Sequence, residues 1–272
     1  MRWLALMVLI LAACTQTPVV EEPTTSTAAA TSTTGNQAEV CLTGSEPFSA
    51  DGGIGAFPAS GADAALIARI HWQEFAACER LEIELGTAGG APALESPAIA
   101  GFFIRSAGVL RVTLGSRVES SHVSDQVIDS KLIDRVFVVR SLDGTVFVDI
   151  HLAAPALARV SAGRGPGRAL VDLRPGGGAY STPALATPAV VVVEPAGGVV
   201  SYPFSVGGYV RGAISLIEAT LTNGAGDTAS ASGPPAGDPD LWRSFVVLFP
   251  NGPPGSVVLD LNGLTAVELT VR

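Results

Sequence analysis

Beyond residue 38, apolar and polar positions alternate with a period of two through most of the chain. Leu81, Ile83 and Leu85 point to one side of an extended backbone while Glu82 and Glu84 point to the other. Val146, Val148 and Ile150 repeat this after Asp143-Gly144, a dipeptide that favours a hairpin turn behind the strand Val136 to Arg140. Short runs of this kind, separated by Gly, Pro, Asn or Asp, predict an all-β protein. One stretch breaks the pattern. From Ser124 to Leu132 an N-capping serine precedes Val127, Ile128 and Leu132, which predicts a short helix.

In the C-terminal part the same pattern predicts strands near Val190 to Val193, Phe204 to Val210, Ile214 to Leu221, Asp227 to Ala231, Trp242 to Phe249, Ser256 to Leu261 and Ala266 to Val271. Asn223-Gly224, Asn251-Gly252 and Asn262-Gly263 supply turns, and seven short strands with such turns fit an immunoglobulin-like sandwich. Between Gly176-Gly177-Gly178 and Thr187-Pro188, glycine and proline cluster without apolar periodicity, as in a linker. The expected organisation is a β domain over 39–178, a linker over 179–188 and an immunoglobulin-like domain over 189–272, each able to fold alone.

The first residues follow a different rule. Met1-Arg2-Trp3, an apolar run from Leu4 to Leu11 and then Ala12-Ala13-Cys14 give the order of a signal peptide, with cleavage after residue 13. The run is shorter than the roughly 20 apolar residues that cross a bilayer. Leu11-Ala12-Ala13-Cys14 resembles the bacterial lipobox, in which Cys14 is acylated and becomes the new N-terminus. A second acyl chain on the new amino group would complete the two anchors that stable attachment needs. The competing reading is an ordinary secreted protein. Residues 14–38, rich in Thr, Ser, Ala and Pro, bury too little apolar surface to offset the entropy of folding and are expected to form a disordered tether. The expected location is extracytoplasmic, lipid-anchored to the outer face of a bacterial membrane.

With Cys14 committed to lipid, Cys41 and Cys78 remain as an even pair in an oxidising compartment, where a disulfide is expected and two buried free thiols are the alternative. A net charge of -9 and a single lysine, Lys131, argue against nucleic acid or anionic lipid as an electrostatic partner.

Candidate chemistry is sparse. His71, His122 and His151 lack metal-ligand spacing, so neither a metal nor a cofactor is expected. His71, beside Trp72, reads as a partly buried strand residue, and His151 falls on the outward, polar face of its strand. Nucleophile-elbow, Ser-x-x-Lys and phosphate-loop motifs are missing, and no catalytic residue is assigned. Glu74, Glu79, Glu82 and Glu84 cluster, with Glu82 and Glu84 keeping one strand face in water. Asp238-Pro239-Asp240 reads as a solvated turn without the pattern of a calcium loop, and Arg164-Gly165-Pro166-Gly167-Arg168 as a tight surface turn.

Two resemblances follow. Val193-Glu194-Pro195, Gly198-Val199-Val200, Pro203-Phe204, Val206-Gly207-Gly208, Gly226, Trp242, Phe245 and Gly255 to Leu259 resemble the immunoglobulin-like domain of spore-germination and envelope proteins called Gmad2, across Ala189 to Arg272. That implies a non-catalytic interaction module, with Trp242 and Phe245 as packing residues. Ile70-His71, Phe75, Glu79-Arg80-Leu81-Glu82-Ile83, the hairpin at Gly144 and Arg168 to Leu173 resemble an AMIN-like domain of secreted envelope proteins, with Glu79 in place of an expected aspartate. This resemblance implies a second β-sandwich and, from the parent group, attachment to the cell wall. The expected function is a tethered binding module for wall polymer or another exported protein. The alternatives are a wall- or polysaccharide-acting hydrolase built from distant carboxylates and a folding or assembly helper with exposed apolar patches or strand edges.

Overall fold

The computed structural model describes residues 41–115, 117–180, 185–237 and 239–272. Cys14, the signal over 1–13 and the tether over 14–38 lie outside them, as does Asp238. Eleven strands precede the Gly-rich stretch: β1 (Gly52–Phe57), β2 (Leu66–Glu74), β3 (Glu79–Gly86), β4 (Ile99–Ile104), β5 (Val109–Leu114), β6 (Ser120–Ser121), β7 (Asp125–Val127), β8 (Ile133–Arg140), β9 (Val146–Leu152), β10 (Ala156–Gly163) and β11 (Arg168–Pro175). Nine follow it: β12 (Leu185–Ala186), β13 (Val190–Glu194), β14 (Gly198–Val200), β15 (Phe204–Val210), β16 (Ile217–Asn223), β17 (Thr228–Gly233), β18 (Trp242–Phe249), β19 (Gly255–Leu261) and β20 (Thr265–Val271). The fold is all-β and sandwich-like, as the alternation predicts.

Three apolar layers hold it together. A five-stranded sheet ordered β10-β11-β3-β2-β6 faces β1, β4, β5, β9 and β8 across a core that includes Ile67, Leu81, Ile83, Val148, Ile150 and Val171. A second five-stranded sheet ordered β14-β20-β19-β16-β17 faces β13, β15 and β18 across Val192, Val206, Phe245, Val247, Leu259 and Leu269. The two outward faces then meet over Phe137, Val139, Phe147, Val191, Val193, Tyr209 and Trp242.

One ten-stranded sheet runs through both halves, because β8 and β18 pair in parallel at Val139 with Trp242 and Arg140 with Arg243. Polar ties reinforce this junction: Asp125 accepts from Arg211 at 3.0 Å and from the Trp242 indole at 3.3 Å. Each half therefore has its own core, but neither half covers its junction face unaided. Phe245 packs in the C-terminal core, whereas Trp242 is buried against Phe137 of the other half.

The helix expected over Ser124 to Leu132 is not formed. Asp125, Gln126 and Val127 pair with Phe137, Val136 and Arg135 as β7, and Asp129, with φ 52°, turns the chain back into β8. Ser124 does not cap a helix: its hydroxyl bonds Asp125 and its carbonyl accepts from Val138. The strand expected from Ile214 begins instead at Ile217, because Arg243 draws the carbonyls of Gly212 and Ile214 onto its guanidinium, at 2.6 Å each. The Asn262-Gly263 turn forms as expected, with both residues at positive φ and Leu264 N–H donating to Leu261.

Cys41 and Cys78 lie at disulfide distance, their Cα atoms 6.3 Å apart. The bridge fastens the start of the described chain to the residue before β3. Beside it, the buried Arg159 guanidinium donates to the carbonyls of Cys41, Thr43 and Glu46 and to Asp172, which also accepts two hydrogen bonds from Arg80. One carboxylate thus organises two arginines, and one of these holds the backbone of the entering segment.

Candidate functional site

The period-two pattern of β9 puts Val146, Val148, Ile150 and Leu152 on one face and Phe147, Asp149 and His151 on the other. All seven residues are buried. The first face lines the N-terminal core, and the second is closed over by β13, β15 and β18 at the junction. His151 is therefore not on a solvent face as expected: strands of the C-terminal half, continuous with β9 in the ten-stranded sheet, cover it. His71 and His122 are exposed, so His71 is not the partly buried strand residue expected beside Trp72.

The buried polar side chains of this face satisfy one another. Arg111 on β5 donates from Nε and Nη2 to the two oxygens of Asp149 at 2.7 and 2.6 Å, a planar fork-to-carboxylate pairing, and lies 4.0 Å over the Phe147 ring. Burial pushes the Asp149 carboxyl upward in pKa, against the pull of Arg111. The Tyr209 hydroxyl bonds His151 Nε2, and Asp149 is near enough to hold that hydroxyl protonated. Burial, and then Arg135 and Arg111, lower the His151 pKa to about 3.

A pH dependence follows. An unfolded histidine titrates near 6.5, whereas this fold holds the neutral ring down to about pH 3. The unfolded chain binds the extra proton in that window, so stability is full above pH 6.5 and falls as the pH drops toward 3. At pH 4 the loss from this one group is about 3 kcal/mol. His151→Gln should lack this part of the acid limb when urea unfolding is compared at pH 7 and pH 4, because Asp149 is common to both proteins. Parallel pH dependence in the two proteins would contradict the assignment.

Where the junction reaches solvent, it opens into a recess of about 220 Å³. Arg111, Ser141, Phe147, Glu194, Gly207 and Ser244 are among its lining residues. On β18 one face runs outward from Trp242 through Ser244 and Val246 to Leu248, passing from 1 % exposure to 56 %. Val246 and the neighbouring Leu142 form an apolar rim. Arg111 uses Nε and Nη2 on Asp149; Nη1 has no hydrogen bond among the described residues, and neither has the exposed Glu194 carboxylate.

The acidic cluster of the N-terminal half is dispersed into separate pairings. Glu74 meets Lys131, Glu82 meets Arg168 and Glu84 meets Arg69. Glu79 is buried and accepts from the Trp72 indole, the Ser130 hydroxyl and the Leu132 amide, which tie β2, β3 and the turn before β8 together. Arg164 is exposed in its turn, and Asp240 meets Arg140 at 3.4 Å. Among the described residues, no group of three or more His, Cys, Asp or Glu side chains is placed to hold a metal ion, and no helix is long and apolar enough to cross a membrane.

Fold and site together define an all-β protein with two sandwich cores, a saturated ionic junction and a polar recess at its mouth. No family model, curated protein or solved structure matches the chain significantly.

Proposed function

We propose that this chain is a lipoprotein tethered through Cys14 to the outer face of a bacterial membrane, where an AMIN-like sandwich and a Gmad2-like, immunoglobulin-like one together form a non-catalytic binding module. The ligand is cell-wall polymer or another exported protein. The observation that carries this reading is the division of labour at the junction. Arg111 is bound to Asp149 and Tyr209 to His151, which suits a fixed scaffold, while Glu194 and the free edge of Arg111 face solvent, which suits recognition. The cysteine pair supports an oxidising compartment.

The test has two parts. Replacing Cys14 by serine should move the protein out of the membrane fraction; an unchanged fraction defeats the anchor. Cross-linking in intact cells, with co-sedimentation of residues 39–272 on purified walls, should recover wall fragments or one exported protein. Recovery of neither defeats the binding role.

A further inference from the structure

Resting on that reading, we infer that the junction recess is a site for an α-amino acid head, an ammonium and a carboxylate on one carbon, carried on an aliphatic stem. The wall polymer offers this group as the free end of a diamino acid in its peptides.

Two opposite charges with unused hydrogen-bonding capacity line the recess. Arg111 Nη1 is a donor pair whose guanidinium is already aligned by Asp149 and by the Phe147 ring, so little freedom is lost when a carboxylate meets it. Glu194 is close enough to Arg111 to act on its charge, yet its carboxylate makes no hydrogen bond to another described residue. A carboxylate alone would meet repulsion from Glu194, and an amine alone would leave the donors of Arg111 Nη1 without an acceptor. A group carrying both signs satisfies both. Ser141 and Ser244 also line the recess.

Size and surroundings narrow the group further. The recess, at about 220 Å³, is smaller than the roughly 300–1,000 Å³ of sites for drug-sized ligands. It takes a compact head and leaves the rest of the ligand outside. There the rim is apolar, with Leu142 57 % and Val246 52 % exposed, which matches a chain of methylenes leading away from the charges.

Gly207 keeps the space open. It pairs with Glu194 on one side and Val246 on the other, so a side chain there would point into the recess. A Cβ added to it meets nothing closer than 3.8 Å, whereas one on Gly208 would come within 2.0 Å of the Val191 carbonyl. Gly208 is glycine for packing; Gly207 is not, and a larger residue at 207 blocks the recess without disturbing the sheet.

The experiment is an NMR titration of residues 39–272 with norleucine, N-acetylnorleucine and norleucine amide. Norleucine should shift the Gly207, Gly208 and Ser244 amides saturably in the millimolar range, and both derivatives should bind about tenfold more weakly. Glu194→Gln should lose about tenfold for norleucine and little for the N-acetyl derivative, and Gly207→Leu should remain folded and bind none of the three. A wall tripeptide ending in a free diamino acid should displace norleucine. Absence of saturable shifts to about 20 mM, or equal binding by Gly207→Leu, overturns the inference. Binding of norleucine without displacement by the wall peptide overturns its assignment to wall peptide. Wall recovery in cells that Gly207→Leu leaves unchanged removes the recess from recognition while the binding role stands.

Discussion

Arg111→Met should lower the stability of residues 39–272 by about 3–5 kcal/mol in denaturant unfolding at pH 7, the scale for removing one partner of a buried ion pair. The Asp149 side chain is wholly buried and takes both of its charge-assisted hydrogen bonds from this guanidinium. Without Arg111 it must either stay charged with no cation or take a proton; either state disturbs the Tyr209 hydroxyl and, through it, His151. Methionine fills much of the volume over the Phe147 ring, so lost packing is the smaller part of the effect. Arg111→Met combined with Asp149→Leu should recover most of the loss, because no buried charge then lacks a partner. A loss below about 1 kcal/mol, the scale of exposed pairs, would mean that water reaches Asp149 and that the junction is open.

The second large effect belongs to the cysteine pair. Replacing both Cys41 and Cys78 by serine frees a loop closed over 37 residues, and chain entropy alone puts the cost at about 4 kcal/mol. The midpoint of denaturant unfolding should fall accordingly, and mild reduction of the native protein should reproduce the fall. Locally, the segment over 41–46 should lose amide protection first, since its remaining hold is the set of carbonyl bonds to Arg159. An unchanged midpoint, or both thiols recovered free by mass spectrometry of unreduced protein, would remove the bridge from the account.

Some of this was legible in the sequence. Phe204–Val210 and Trp242–Phe249 have the expected bounds because each is rich in aromatic and β-branched residues and has a proline at one border: Pro203 before the first, Pro250 after the second. The approach of Cys41 to Cys78 followed from parity and compartment alone. The junction was hidden for a definite reason. Period two reports which residues share a face, and a polar residue on a face normally reports water. In β9 that inference fails, because Asp149 and His151 meet Arg111 and Tyr209 from other strands. The available signal was Phe147, a large aromatic residue on the face that otherwise read as solvent-exposed. Similarly, Val127, Ile128 and Leu132 suit a helix turn as well as a strand followed by a turn. The choice was made by pairing with β8 and by the left-handed backbone of Asp129, neither of which local spacing encodes. The buried role of Glu79 depends on Trp72 and on Ser130 and Leu132, residues of separate elements brought together only by the fold.

The place where the cysteine bridge enters the sheet also decides how the fold responds to tension. The first strand after Cys41 is β1, at one end of the ten-stranded sheet. A pull on the chain ahead of Cys41, applied without the bridge, would first strip residues 41–46 from Arg159 and Ser49 from Ala158, and then peel β1 away one hydrogen bond at a time. With the bridge, the pull passes to Cys78 and into β3, the middle strand of the five-stranded sheet, flanked by β11 and β2. Both neighbours then resist together, and many ladder bonds are strained at once instead of in succession. Force spectroscopy on oxidised and reduced protein reads this directly: a single high rupture in the first, and an early low-force extension in the second.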